Sequence, residues 1–79
     1  LTSPSNAALK AEQTTLIQAT LNAMDPLDRE IIALRHFEQL TREEIARTLE
    51  IAESTVSRRY FRGLETLRNS LDPDAGAQP

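Results

Sequence analysis

Three arginines, Arg58, Arg59 and Arg62, stand close together in a chain whose net charge is −3. A guanidinium is a planar fork of donors that fits a carboxylate, a phosphate, or the O6 and N7 acceptors of guanine. Residues 53–71 hold four arginines against two glutamates, so this segment is basic inside an acidic chain. Ser54, Thr55 and Ser57 lie in the same segment. Hydroxyls near a helix start can bind phosphate together with the backbone N–H groups there. Catalytic chemistry has no comparable support. There is no nucleophile–base pair and no glycine-rich phosphate loop, and His36 is the only histidine. Absence of cysteine excludes disulfides and thiolate metal sites, and one histidine does not make a zinc site. The expectation is therefore a non-enzyme without metal or cofactor. His36, next to Phe37 at a helix end, is expected to serve as a capping or interface residue.

The elements that must position these arginines are legible as helices. Seventy-nine residues allow one small domain, near the size at which a single core is only just sufficient. Residues 1–6 read as a linker end, with Ser3-Pro4-Ser5 in them. Residues 7–24 lack Gly and Pro, and Leu9, Leu16, Ile17, Leu21 and Met24 recur near helical spacing. Asp25-Pro26 starts a second helix, with Asp as N-cap and Pro at the first helical position. Leu27, Ile31, Leu34 and Phe37 are its expected apolar stripe, and it should run to about Glu38. Thr41 followed by Glu44 is a capping box that opens a third helix carrying Ile45, Ala46 and Leu49 on one face. Glu50-Ile51-Ala52 forms a turn. A fourth helix begins near Glu53 and carries Val56, Tyr60, Leu64, Leu67 and Leu71, until Asp72-Pro73 stops it. Residues 73–79 read as a disordered tail. The expected fold is all-α: a small four-helix domain over residues 7–72. Two short helices joined by a tight turn, the second one basic, outline a DNA-binding helix-turn-helix.

At about 100° per residue, the face of the fourth helix opposite Tyr60 presents Ser54, Thr55, Arg58, Arg62 and Glu65. Arg59 and Phe61 flank that face, and Ser57 lies nearer the stripe. Arg58 and Arg62 are adjacent on the surface and are assigned to base edges. Arg59 is assigned to a phosphate or to a salt bridge with an acid such as Glu44. Phe61 would suit a thymine methyl. Gly63 sits at the edge of the stripe, where its poor helix propensity implies close approach by another helix.

Two stretches carry a family resemblance. One contains Asp28-Arg29-Glu30, Leu34-Arg35-His36-Phe37-Glu38-Gln39-Leu40 and Glu44-Ile45-Ala46. The other is Ala52-Glu-Ser-Thr-Val-Ser-Arg-Arg-Tyr-Phe-Arg-Gly-Leu-Glu-Thr-Leu-Arg68. Together, over residues 21–71, they resemble region 4 of bacterial RNA polymerase sigma factors, most closely the extracytoplasmic-function group. The resemblance implies a cytoplasmic four-helix domain that reads the minus-35 element of promoter DNA through the major groove. It also implies docking on the flap of the polymerase β subunit, with an anti-sigma factor as a further candidate partner and no membrane. By position it implies base and backbone contacts at Ser57, Arg58, Phe61 and Arg62, and phosphate contacts at Thr41 and Arg42. Region 2 would lie in a missing N-terminal part, for the chain starts at Leu1 and reads as a fragment.

Two positions depart from the family's pattern. Glu50 and Ala52 stand where the turn commonly has Gly and a Ser-like N-cap, which should soften it by about 1–2 kcal/mol. Ser57 stands where many members carry a basic side chain. The alternatives are the helix-turn-helix output domain of a response regulator, which shares the Glu-Ile-Ala and Thr-Val spacing, and a protein-interaction module without DNA readout.

Overall fold

The computed structural model describes residues 4–72, and these form four helices and no strand: α1 (Pro4–Ala23), α2 (Pro26–His36), α3 (Arg42–Leu49) and α4 (Glu53–Leu71). The expected tail at 73–79 lies outside the described residues. None of the helices is long and apolar enough to cross a membrane. Helix α1 begins three residues earlier than expected, at Pro4, whose fixed φ suits a first helical turn. Leu9 and Leu16 are exposed, Ile17 and Leu21 half-buried and Met24 buried. Only the end of α1 is therefore packed.

The start of α2 follows the sequence. Asp25 Oδ1 accepts the Leu27 N–H at 2.9 Å, and Pro26 opens the helix. The helix stops at His36, short of Glu38, because Gln39 takes a left-handed φ of 56° and turns the chain. Phe37 is consequently not a core residue. It is the C-cap and is 81% exposed. Arg35 Nη1 closes this corner by donating to the Leu40 carbonyl at 3.1 Å.

The helix-turn-helix core consists of Ile31, Ile45, Ala46 and Val56. Leu27, Leu34, Leu40, Leu49, Ile51 and Tyr60 pack around it. The turn holds Glu50 at φ 57°, the left-handed conformation that glycine adopts without a Cβ penalty. Ile51 N–H returns to the Ala46 carbonyl at 3.0 Å, the long-range bond of a Schellman motif. Ile51 also packs against the cluster that contains Ala46, which supplies that motif's hydrophobic contact. The Glu50 N–H also reaches the Ala46 carbonyl, so both bonds converge there around a non-glycine residue. Ala52 is the α4 N-cap and offers no side-chain bond.

Gly63 is buried where α4 meets α2 and α1. A Cβ built there would lie 2.5 Å from Ile32 Cδ1 and 3.4 Å from Met24 Sδ. The close approach expected from the sequence is present.

Candidate nucleic-acid interface

The first turn of α3 is fixed by its capping box. Thr41 Oγ1 accepts the Glu44 N–H at 3.1 Å, and Glu44 Oε1 accepts the Thr41 N–H at 2.8 Å. The Thr41 backbone N–H, and then its side chain, hold the Glu44 carboxyl below its usual range. Arg42 follows and ties α3 to the start of α4. Its Nη1 donates to Ser57 Oγ at 3.4 Å, and its Nε lies 3.4 Å from Glu53 Oε1. Arg42, Ser57 and Phe61 share the lining of a cavity of about 120 Å³, together with Ile31, Ile45 and Val56. The family's basic side chain is missing at Ser57, but a cation from α3 stands beside it.

On α4, Ser54 and Arg58 are exposed, and Thr55 and Ser57 are half-buried. Arg58 has no ion pair or hydrogen-bond partner among the described residues, so its whole fork is available. Phe61 is 68% exposed, with its ring edge-on to Tyr60 at 6.0 Å. Tyr60 in turn stacks on His36, and its hydroxyl lies 2.9 Å from His36 Nε2. His36 is therefore an α2–α4 contact.

Arg59 and Arg62 are placed differently from what the helical wheel suggests. Both turn toward the start of α2. Arg62 Nε donates to Asp28 Oδ2 at 2.7 Å, and its Nη2 donates to Asp28 Oδ1 at 3.2 Å. Arg59 Nη1 donates to Asp28 Oδ1 at 3.3 Å and lies 3.4 Å from Asp25 Oδ2. The salt bridge expected for Arg59 exists, but its partners are Asp25 and Asp28, not Glu44. Asp28 is 2% exposed, whereas its place in the first turn of α2 suggests only a solvated group that favours the helix dipole. The Leu27 N–H, the largest cause, holds the Asp25 carboxyl below its usual range; desolvation opposes it, and Arg59, the Asp28 N–H and Arg62 add smaller pulls downward.

Five of the sequence-predicted residues fall into two groups, while Thr41, Ser54, Thr55 and Arg58 join neither. Arg42, Ser57 and Phe61 meet at one cavity, and Arg59 and Arg62 meet around two aspartates. Asp25 and Asp28 were missed as partners of these two arginines. Two acids three apart at one helix start, and two arginines three apart on another helix, are matched pairs. That matching is the signal that could have found the aspartates.

The chain matches the family described as sigma-70, region 4 over residues 14–67. It is similar to the RNA polymerase sigma-E factor of Streptomyces coelicolor, with 37% identity over 65 residues, 78% of this chain and 37% of that protein. The sigma-E factor of Streptomyces avermitilis is 35% identical over 57 residues, 72% of this chain and 32% of the relative. The RNA polymerase sigma-H factor of Pseudomonas aeruginosa is 32% identical over 71 residues, covering 90% and 37%. The chain spans about a third of the length of these relatives.

Proposed function

The chain belongs to the sigma-70 region 4 family, a non-catalytic DNA-binding family, and we propose that it reads the minus-35 element of a promoter with α4 in the major groove. The observation that carries this is the division of α4. Val56 and Gly63 are buried, while Arg58 and Phe61 stand exposed beside the capped start of α3. Arg58 can present a full fork to guanine, Phe61 an apolar ring to a thymine methyl, and Thr41, Arg42, Ser54, Thr55 and Ser57 donors to phosphates. The response-regulator reading loses its footing with the family match.

A polymerase partner follows from charge. Phosphate attraction supplies much of the affinity of a DNA-binding protein, and a net charge of −3 supplies little of it. The isolated chain should therefore bind DNA weakly and depend on polymerase, docked through the β flap, to be held at a promoter. The exposed Phe37, next to Arg35 at the end of α2, is an anchor of the kind such docking uses. An anti-sigma factor could use the same apolar surface.

The experiment is selection of duplexes with a randomised core, by the chain alone at low salt and by a mixture with core polymerase. Enrichment of one sequence, strengthened by polymerase, is expected. Sub-nanomolar binding by the chain alone at physiological salt would contradict the dependence on polymerase. Retention by polymerase without any enriched sequence would make the chain an interaction module.

A further inference from the structure

Asp28 is a buried carboxylate in the first turn of α2, set against the middle of α4, the helix that presents the basic face. A carboxylate taken out of water needs partners, and this one has three N–H donors, from Arg59 Nη1 and from Arg62 Nε and Nη2. Buried ion pairs are often no more stabilising than apolar side chains of similar volume, so stability alone is a weak reason for this one.

The two arginines are held unequally. Arg59 has its Nη1 within 3.4 Å of both Asp25 and Asp28, and its side chain is 25% exposed. Arg62 is 52% exposed and gives Asp28 one edge of its plane, the Nε–Nη2 edge. Asp25 Oδ2 lies a further 3.5 Å from the same Nη2. Nη1 of Arg62 has no partner among the described residues. A guanidinium carries five N–H groups, so Nη1 keeps two of them for an outside acceptor. The bidentate reading of guanine takes two nitrogens at once, and here the second already faces two carboxylates.

We infer that Asp28 is a positioning residue for DNA recognition: it grips one edge of Arg62 and holds the free Nη1 outward for a backbone phosphate, leaving base readout to Arg58. This rests on the DNA-binding reading and changes the role of Arg62 from reader to anchor. The hydrogen bond to Asp28, the largest cause, also raises the pKa of Arg62, in keeping with a partner that favours the charged guanidinium.

The experiment uses the whole chain and a duplex selected by it from a random-core pool, beside a scrambled version of that duplex. Both are measured across a salt series, with folding checked by circular dichroism. The informative variant is Asp28→Asn. It makes the chain less acidic, so electrostatics alone would tighten binding. Positioning predicts the opposite: about a tenfold loss on both duplexes, the value of one charged hydrogen bond, with base preferences kept. Arg62→Ala should show the same loss on both and lower the salt slope by about one. Adding Asp28→Asn to Arg62→Ala should cost nothing more. Arg58→Ala should lose the selected duplex and spare the scrambled one.

Should Asp28→Asn fail to melt cooperatively, Arg62→Lys replaces it. An ammonium keeps the charge but has no plane to span carboxylate and phosphate, so a several-fold loss on both duplexes is expected. Unchanged or tighter binding by whichever of these two variants is measured overturns the inference. So does an Arg62→Ala loss confined to the selected duplex. A wild-type chain that selects no duplex either alone at low salt or mixed with core polymerase overturns the DNA-binding reading itself, and this inference with it.

Discussion

Two packing regions meet on α2, and neighbouring isoleucines divide them. Ile31 is fully buried in the helix-turn-helix core, with Ile45, Ala46 and Val56. Ile32 faces the other way, toward Gly63 of α4 and Met24 at the end of α1. The first region interlocks three helices through branched aliphatic side chains. The second is a narrow seam, continued where Ala19 and Ala23 of α1 face Thr66 and Ser70 of α4. Stability should therefore be concentrated in the core, while the seam sets how close α1 can lie. Ile31→Ala is the largest expected effect, a loss of about 2–5 kcal/mol, enough to unfold much of so small a domain. Met24→Ala, which removes a buried but flexible side chain lining the open groove between α1 and α4, should lose less. Urea melts of both check this, and equal losses would break the contrast between the regions.

The core region has a weak point that the seam lacks, the turn between α3 and α4. Ala52→Ser supplies the missing N-cap bond and should add about 1 kcal/mol. Glu50→Gly relieves a left-handed non-glycine and should add up to about 1 kcal/mol. The Ile51 N–H bond to the Ala46 carbonyl and the packing of half-buried Ile51 already hold Glu50 in place, so the second gain should be the smaller. Thermal melts of the two variants decide the order. A loss of stability from Glu50→Gly would show that the Glu side chain itself contributes.

Helix starts were the most legible part of the sequence. Asp25-Pro26 and Thr41…Glu44 each combine a side-chain acceptor with an orphan backbone donor nearby, which is local chemistry. Gly63 was legible for a similar reason, since a glycine inside a helix needs a cause. Phe37 was misplaced because a stripe at three- and four-residue steps does not show where a helix ends. That end depends on the left-handed Gln39. The partners of Arg59 and Arg62 lie 31 and 34 residues away in sequence, and no helical wheel of α4 contains them. The exposed, unpaired face of Arg58 was legible and the gripped face of Arg62 was not, because burial of Asp28 is a tertiary fact.

Acid offers a third contrast, smaller because the groups are exposed. The helix starts beside the core rest on carboxylates, Asp25 for α2 and Glu44 for α3. Both have folded pKa values lowered from their usual 3.8 and 4.5. A lowered folded value stabilises the fold above the unfolded pKa, and that contribution is lost as pH falls through the folded one. The melting temperature should therefore fall on acidification below about pH 4.5. Glu44→Gln should melt lower than the parent at pH 6 and approach it near pH 3, as the charged cap is lost from both. A constant gap between the two melting curves across this range would mean that the Glu44 charge contributes nothing.

The smallest expected effect is the most exacting test of the seam. Gly63→Ala adds a methyl group and gains about 1 kcal/mol of helix propensity. The same methyl would sit 2.5 Å from Ile32 Cδ1, closer than carbon atoms pack. Cδ1 is the far end of a flexible side chain, so Ile32 can turn away at a cost of about 0.5–1.5 kcal/mol if it leaves its rotamer well. Gain and cost nearly cancel, and Gly63→Ala should change stability by less than about 1 kcal/mol in the parent chain. Ile32→Val removes Cδ1 and with it the obstacle. In that background Gly63→Ala should recover most of its propensity gain. The difference between the two backgrounds is a coupling energy that only a direct contact produces. If the alanine stabilises both backgrounds equally, α4 does not press on α2 at this point, and the seam is as loose as the exposed half of α1.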